Sequence, residues 1–251
     1  MTDGVTEPVE VVRIIRRSTQ GVTLPFLCEV SDGRLFWAKG SLAGRRALCC
    51  EWIAGCLAKE LDLPIPPFAQ LFVPRQLVEQ SLIESVRELG EGIVFGSQDV
   101  GDVQEFGVKD ASSVLRHDAE LATRTLLFDW WIQNGDRSLG EKGGNPNILV
   151  SMSDGNMRII DHNIAFDRTW NAAQFFDQHV FANVRRVVAH EHLLAIREEM
   201  RQVRKEVSGF YSQIPDSWHL DADHAANVDL TDDEVCGILN RVETEWDATW
   251  S

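Results

Sequence analysis

A short hairpin pattern restricts the fold of this chain more than any other part of its sequence. The apolar runs Ile148–Met152 and Met157–Ile160 are separated by Ser153-Asp154-Gly155-Asn156, a composition typical of a tight turn between two strands. A chain that folds back about Asp154-Gly155 brings Asn147 beside Asp161 and His162. An Asn oxygen and an Asp carboxylate at the open end of one hairpin can bind the same hard cation, so the pattern indicates a metal site.

The loop upstream of this hairpin carries a possible proton acceptor. Asp136 lies in the run Asn134-Gly135-Asp136-Arg137, and its carboxylate could accept the proton of a hydroxyl group. A proton acceptor next to a cation site is the arrangement of a phosphoryl-transfer site. The simpler alternative is an ordinary loop, because Asn, Gly and Asp are common wherever the backbone turns tightly.

The loop between the acceptor and the metal-binding Asn is longer than in protein kinases. In those enzymes the two residues are about five positions apart, whereas Asn145 and Asn147 follow Asp136 by nine and eleven positions. The additional segment, Ser138–Gly144, is rich in glycine and could bulge outward without moving the ends of the loop. Both Asn145 and Asn147 are therefore candidate metal ligands.

Composition and charge limit the classes of function. A chain of 251 residues with 44% hydrophobic content can bury a sizeable core. No apolar run approaches the roughly 20 residues of a membrane span, and the start of the chain lacks the pattern of a signal peptide. A net charge of −15 opposes non-specific binding to nucleic acid, and five cysteines without a C-x-x-C pair argue against a disulfide framework or a zinc ribbon. We expect a cytoplasmic protein that binds neither nucleic acid nor a membrane, although Mg²⁺ and a few local cations would still allow it to bind nucleotide.

The first forty residues read as three strands with a polar loop after the first. Val9–Arg17, Phe26–Val30 and Leu35–Lys39 are the strand-like runs, and Ser31-Asp32-Gly33-Arg34 joins the last two as a hairpin. The loop between the first two strands could cover phosphates with its backbone N–H groups and polar side chains. Its candidate phosphate-binding residues are Ser18, Gln20, Gly21 and Thr23. An ordinary strand connection is the alternative, because phosphate-binding loops usually carry more than one glycine.

Lys39 and Glu51 are candidates for a catalytic ion pair. Lys39 ends the third strand, and a helix predicted at about Arg45–Leu61 carries Glu51 on a small, apolar face. A carboxylate on such a face needs a cation nearby, and Lys39 is the nearest suitable partner along the chain. In the alternative arrangement Lys39 faces solvent and Glu51 pairs with another cation of its own helix, Arg45 or Lys59.

Strands early in the chain and helices late predict an α+β protein with two unlike lobes. We expect a β-rich N-terminal lobe with one helix at residues 1–75 and a mainly helical C-terminal lobe at residues 76–251, which carries the catalytic loop and the metal-binding hairpin. Helical patterns cover Ser112–Gln133, Asn171–Arg186 and His190–Tyr211, and the capping box Thr231-x-x-Glu234 marks the start of a last helix.

Taken together, these motifs resemble those of the HipA-like kinase domain. The resemblance extends over roughly residues 10–220 and rests on Gln20-Gly21-x-Thr23-x-Pro25, Ala38-Lys39, the Glu51 helix ending in Leu61-x-Leu63-Pro64-x-Pro66, Asn134-x-Asp136-Arg137, Asn145-Pro146-Asn147 and Ile160-Asp161-His162. It implies a bilobal protein-kinase-like fold, ATP and Mg²⁺ as cofactors, and phosphorylation of serine or threonine. By the same resemblance Lys39 would hold phosphates, Asp136 would accept the hydroxyl proton and Asp161 would bind Mg²⁺.

We therefore expect an ATP-dependent phosphotransferase, a serine/threonine kinase of HipA-like type that acts on a protein acceptor. Two alternatives remain open. One is a nucleotide-binding pseudokinase that serves as a scaffold without turnover. The other is a small-molecule kinase similar to the aminoglycoside phosphotransferases, whose catalytic loop follows the same logic.

Overall fold

The computed structural model of the protein describes residues 7–19, 23–139, 144–186, 188–219 and 230–250. The chain is of the α+β class, as the sequence predicted. The described residues form two compact units. The first contains residues up to 52 together with 66–101 and 213–219, and the second contains residues 53–65, 102–212 and 230–250.

A closed five-stranded barrel forms the centre of the first unit. Its strands are β1 (Val9–Arg17), β2 (Phe26–Val30), β3 (Leu35–Lys39), β4 (Phe68–Val73) and β5 (Gly92–Gln98), in the order β1-β2-β3-β5-β4. Neighbouring strands are antiparallel, except that β1 and β4 pair in parallel and so close the barrel. The interior is apolar, because alternate side chains such as Phe36 and Ala38 of β3 point inward.

The β2–β3 hairpin has the turn that the sequence predicted. Phe26 pairs with Ala38 and Glu29 with Leu35, so the two strands are in register up to the turn. Gly33 has a φ of +86°, a backbone angle that glycine adopts without steric cost. The hairpin therefore follows from local turn chemistry.

A helix and a later segment of the chain cover one side of the barrel. Helix α1 (Arg45–Glu60) follows β3 after a short 3₁₀ turn, and Trp52 of this helix packs edge-on against Phe68 of β4 with ring centroids 5.4 Å apart. Trp218, from the short helix α8 (Asp216–His219), donates its Nε1–H to the backbone oxygen of Ile93 at 2.7 Å. These contacts fix the outer surface of β4 and β5.

The second unit combines a small sheet with most of the helices. Strands β6 (Val103–Glu105), β7 (Ile148–Ser151) and β8 (Met157–Ile159) form an antiparallel sheet in that order. The helices of this unit are α3 (Val108–His117), α4 (Ala119–Trp131), α5 (Ala172–Gln178), α6 (His190–Val203), α7 (Val207–Tyr211), α9 (Asp232–Leu239), α10 (Arg241–Thr244) and α11 (Trp246–Trp250). A further short helix, α2 (Arg75–Gln80), belongs to the first unit.

Three of the long helical stretches expected from the sequence are interrupted. The stretch predicted at 112–133 is broken at Asp118, which leaves helical geometry and caps α4 by accepting a hydrogen bond from the Leu121 N–H at 3.0 Å. The stretch predicted at 171–186 ends as an α-helix at Gln178, because His179 is extended. The stretch at 190–211 passes through a 3₁₀ turn at 204–206. The predicted last helix begins as expected, with Thr231 accepting from the Glu234 N–H at 3.2 Å.

Within the described part of the chain, no helix has both the length and the apolar content needed to cross a bilayer.

All five cysteines are free thiols, and four of them, Cys28, Cys49, Cys50 and Cys56, are buried. Burial raises the pKa of Cys28 to about 12 and that of Cys56 to about 12, so these thiols behave as core side chains.

Gly40, directly after Lys39, provides a test of the packing around the barrel. A Cβ atom added to Gly40 would lie 1.7 Å from the backbone oxygen of Leu89, and this oxygen also accepts the Ser41 N–H at 3.0 Å. Because a backbone atom cannot move aside cheaply, we expect Gly40→Ala to lower the free energy of unfolding by about 3 kcal/mol or more. Urea denaturation followed by circular dichroism would measure the change.

Gly209→Ala is the matched control for this experiment. Gly209 lies in α7, and an added Cβ would have no atom within 4 Å. Alanine favours a helix over glycine, so this variant should be as stable as the wild type or slightly more stable. Equal unfolding free energies for Gly40→Ala and Gly209→Ala would contradict the tight packing at Gly40.

Candidate active site

The ion pair predicted between Lys39 and Glu51 is present. Lys39 Nζ lies 2.5 Å from Glu51 Oε1, and the two side chains are 11% and 4% exposed. Lys39 points to the outside of the barrel, opposite to Phe36 and Ala38, and Glu51 comes from the second turn of α1. A carboxylate this deeply buried is costly without a cation, so the pair holds the Lys39 ammonium in one place.

The ends of the β1–β2 loop are anchored on both sides. The Ser18 N–H donates to the Pro25 backbone oxygen at 2.8 Å, and Arg17, the last residue of β1, forms an ion pair with Glu88. Thr23 is described and half-buried. Gln20 and Gly21, two of the candidate phosphate-binding residues, lie outside the described residues.

The β7–β8 hairpin forms as predicted, but its register places Asn147 opposite Ile160 rather than beside Asp161 and His162. Asn147 and Asp161 still lie at the same end of the hairpin. Ile148 pairs with Ile159, and the Ile160 N–H donates to the Asn147 backbone oxygen at 2.9 Å. Asn147 and Asp161 both have left-handed backbones, with φ of +48° and +60°. Asn and Asp tolerate this conformation better than other side-chain-bearing residues, which agrees with their positions at the two exits of the hairpin.

Asp136 lies in direct contact with both candidate Asn residues. Its Oδ2 accepts hydrogen bonds from Asn145 Nδ2 at 2.6 Å and from Asn147 Nδ2 at 3.0 Å. Asn147 is buried, whereas Asn145 is exposed. Because each amide donates through its nitrogen, the amide oxygens point away from the carboxylate and remain suited to a cation.

Backbone hydrogen bonds close the base of the longer loop between Asp136 and Asn145. The Ser138 N–H donates to the Asn145 backbone oxygen at 3.0 Å, and the Leu139 N–H donates to the Gln178 oxygen at 3.2 Å. A Cβ atom on Gly144 would lie 2.4 Å from the Ser138 oxygen, so only glycine allows the two sides to approach this closely. The contact of Asp136 with Asn145 and Asn147 is thus made in spite of the added residues, of which 140–143 lie outside the described part of the chain.

A buried polar network that the sequence analysis missed lies beneath Asp136. Arg137 and Asp129 have fully buried side chains, and Arg137 Nε donates to Asp129 Oδ2 at 2.6 Å. Asn134 Nδ2 donates to Asp129 Oδ1 at 2.8 Å, and His179 Nε2 lies 3.0 Å from Asp129 Oδ2. A charged residue inside the apolar run 126–131 could have drawn attention to Asp129. No sequence signal indicates His179, which is 50 positions away.

The protonation states in this network follow from its contacts. Burial alone would raise the pKa of Asp129, but the Arg137 charge and the hydrogen bonds from His179 and Arg137 outweigh it and hold this pKa well below its usual range. Burial lowers the pKa of His179. The Phe181 N–H donates to His179 Nδ1 at 3.1 Å, so the proton of the neutral ring is on Nε2 and points to Asp129.

Comparisons with known proteins bear on the family and on the fold. A family model described as HipA-like kinase matches residues 11–251. A comparison with curated proteins gave no match. The proinflammatory kinase CtkA of Helicobacter pylori has a similar structure, with a TM-score of 0.51 at 7% identity and coverage of 94% of both chains. A structure of the FAT and kinase domain of CtTel1 matches at a TM-score of 0.37 and 15% identity, over 95% of this chain and 22% of that chain. The similarity to CtkA shows the fold alone.

The buried network predicts a loss of stability in mild acid. A group whose pKa is lower in the folded than in the unfolded state contributes stability above its unfolded pKa and loses it as the pH falls toward the folded pKa. For His179 this loss begins near its ordinary pKa of 6.5, and for Asp129 near 3.8. Between pH 7.5 and pH 5, His179 should therefore lower the free energy of unfolding by up to about 1.4 kcal/mol per pH unit.

Urea denaturation at several pH values would test this expectation. His179→Gln keeps a donor for Asp129 but does not titrate, so its stability should depend less on pH than that of the wild type. His190→Gln, at an exposed position, is the control and should keep the wild-type dependence. Identical pH profiles for the wild type and His179→Gln would contradict a neutral, buried His179.

Proposed function

The chain belongs to the HipA-like kinase family, and we propose on this premise that it transfers the γ-phosphate of ATP to a serine or threonine hydroxyl of a protein. The family consists of kinase-type phosphotransferases, which sets the class of reaction. The observation that carries the proposal is the contact of the Asp136 carboxylate with the Asn147 amide, at the end of the hairpin that leads to Asp161. The proposed proton acceptor is thus in direct contact with a proposed cation ligand.

The residues at the hairpin exits suit Mg²⁺. Mg²⁺ prefers oxygen ligands and is commonly held by one or two carboxylates together with substrate phosphates. Asp161 supplies a carboxylate, and the amide oxygen of Asn147 is available because its nitrogen is bonded to Asp136. Asn145 offers the same chemistry from an exposed position and is the second choice. Among the described residues no group of three or more His, Cys, Asp or Glu side chains could hold a metal.

Lys39 and the β1–β2 loop are the proposed phosphate-contacting residues of the first unit. When bound, Mg²⁺ supplies charge neutralisation for the transferred phosphoryl group. Lys39 is proposed to contact the phosphates, with Glu51 holding the ammonium in position. Ser18, Gln20, Gly21 and Thr23 are proposed to cover the phosphates from the β1–β2 loop.

Asp136 is proposed to orient the acceptor hydroxyl and to take its proton. Its Oδ2 is occupied by the amides of Asn145 and Asn147, so Oδ1 is the oxygen assigned to the incoming hydroxyl. The amides also prevent rotation of the carboxylate, because turning it would break two hydrogen bonds. A fixed carboxylate places its lone pair at the hydroxyl without further ordering when the acceptor binds.

The remaining expectations belong to the same proposal. They are a bilobal kinase-like fold with a strand-rich lobe up to residue 75 and a helical lobe from residue 76, a cytoplasmic location, and ATP with an unidentified protein as substrates. The structural similarity to CtkA supports the fold alone.

Lys39→Ala tests nucleotide binding. Removal of the ammonium should weaken binding of Mg·ATP and reduce the thermal stabilisation that saturating nucleotide gives to the protein. A tenfold loss of affinity corresponds to about 1.4 kcal/mol less stabilisation. Lys59→Ala, at an exposed position of the same helix as Glu51, is the control and should respond like the wild type. Equal nucleotide-induced shifts in Lys39→Ala and the wild type would remove Lys39 from the site.

Asp136→Asn tests the transfer step. Loss of a positioned general base typically lowers the rate by about 10²- to 10⁴-fold, whereas nucleotide affinity should change little because Asp136 is assigned to the hydroxyl. Transfer of label from ATP to protein and the Kd for ATP would be measured in parallel. Asp154→Asn, in the exposed turn of the β7–β8 hairpin, is the control and should keep wild-type activity.

Transfer and ATP-binding assays on the wild-type protein distinguish the proposed protein kinase from a small-molecule kinase and from a pseudokinase. Transfer to small hydroxyl compounds but not to proteins would replace the proposal with a small-molecule kinase. Binding of ATP without transfer to any acceptor would indicate that the longer loop has disabled catalysis and that the protein is a pseudokinase.

A further inference from the structure

The Arg137 guanidinium reaches the backbone at both exits of the hairpin. Its Nη1 donates to the backbone oxygen of Asn147 at 2.6 Å and to that of Ile160 at 3.3 Å. Its Nη2 lies 3.1 Å from His162 Nε2, and because a guanidinium can only donate, the His162 ring accepts there. One fully buried side chain therefore contacts the residue before Asp161, the residue after it, and Asn147.

These contacts act on the backbone angles that orient the candidate metal ligands. The direction of the Asn147 carbonyl depends on ψ of Asn147, and the plane of the Ile160 carbonyl depends on φ of Asp161. Both Asn147 and Asp161 are in the left-handed region, which Asn and Asp tolerate but which still costs energy unless surrounding contacts stabilise it. A donor between the two carbonyls supplies such a contact.

Arg137 is itself fixed close to Asp136. The two residues are adjacent in the chain, and the Val180 N–H donates to the Arg137 backbone oxygen at 3.1 Å. The Asp129 carboxylate accepts from Nε and Nη2 of the guanidinium at 2.6 and 3.4 Å. The position of the Asp136 backbone and that of the two hairpin exits are thus set by the same side chain.

A buried ion pair is weak evidence of stabilisation, since apolar residues of the same volume often serve a core as well or better. Buried polar groups have a clearer role when their hydrogen bonds favour one arrangement of the surrounding backbone over others. We propose that Arg137 is a positioning residue that sets the geometry of Asp136, Asn147 and Asp161 together, with Asp129 and His179 holding its guanidinium in place. The catalytic meaning of this geometry rests on the proposed function, whereas the coupling itself does not.

Arg137→Lys tests the proposal with the charge preserved. A single ammonium keeps a cation for Asp129 but cannot reach this carboxylate, the two carbonyls and His162 at once. Binding of Mn²⁺ in the presence of a non-hydrolysable ATP analogue would be measured by the loss of the free-Mn²⁺ paramagnetic resonance signal. Changes that misplace metal ligands typically lower metal affinity by about 10- to 100-fold, and we expect a loss of this size.

Arg241→Lys is the matched control. Arg241 is also buried in the second unit, donates to the Trp130 backbone oxygen at 2.7 Å and pairs with Glu245 at 2.6 Å. Among the described residues it makes no hydrogen bond to Asp136, Asn147 or Asp161. This variant should lose stability but keep the Mn²⁺ affinity of the wild type. Equal losses of Mn²⁺ affinity in the two variants would overturn the positioning role.

His179 provides a second variant pair in case Arg137→Lys does not fold. The His179 side chain donates to Asp129 rather than to the hairpin, so loss of this donor acts on the metal ligands through the Asp129–Arg137 pair. His179→Phe removes the donor to Asp129 and should weaken Mn²⁺ binding, whereas His179→Gln keeps a donor and should restore most of it. The same Mn²⁺ affinity in His179→Phe and His179→Gln would contradict the coupling.

Hydrogen exchange separates failure of this inference from failure of the proposed function. In Arg137→Lys the amides of residues 147–150 and 159–162 should exchange faster than in the wild type, and in Arg241→Lys they should not. This readout needs no ligand. If the wild type binds no Mn²⁺ with the ATP analogue, the proposed function fails, but faster exchange confined to Arg137→Lys still supports the positioning role. Equal exchange in both variants overturns it.

Discussion

The ion pair between Arg137 and Asp129 is the interaction on which the candidate active site depends. Both side chains are fully buried, and the pair joins helix α4 to the loop that carries Asp136. Such a pair is costly to desolvate and becomes tolerable only when the remaining donors and acceptors are satisfied. Asn134 and His179 do this on the Asp129 side, and the carbonyls at the exits of the β7–β8 hairpin do it on the Arg137 side. The requirement to satisfy one buried charge thereby brings together segments that are distant in sequence.

The first unit also contains a buried ion pair, but its two residues are close in sequence. Lys39 ends a strand of the closed barrel and Glu51 lies on the helix that follows, so a short connection is enough to form the pair. Gly40 packs closely against Leu89, and Arg17 forms an ion pair with Glu88. Both contacts are made at the end of the barrel where β1 and β3 finish. The rigid barrel leaves the polar groups little freedom, which is the usual condition for a binding site with defined geometry.

The added residues between Asp136 and Asn145 leave the contacts of Asp136 in place. Hydrogen bonds of Ser138 and Leu139 close the base of the loop, so the added residues do not separate Asp136 from Asn145 and Asn147. Structural similarity to CtkA at 7% identity makes the same point for the whole chain. A fold can persist through extensive substitution when the apolar pattern and a few polar contacts remain.

The sequence alone determined what depends on neighbouring residues: both hairpin turns, the start of the last helix at Thr231 and the pairing of Lys39 with Glu51. These features follow from turn chemistry, capping and side-chain periodicity, which act over a few residues or across one short connection. Only the tertiary structure decided the extended backbone at His179 and the network that joins Asp129 to Arg137 and His179. Closure of the barrel by β1 and β4 belongs to the same group. Each of these depends on a partner that is brought near only when the chain is folded, and a buried charge selects its partner by position in space rather than by spacing along the chain.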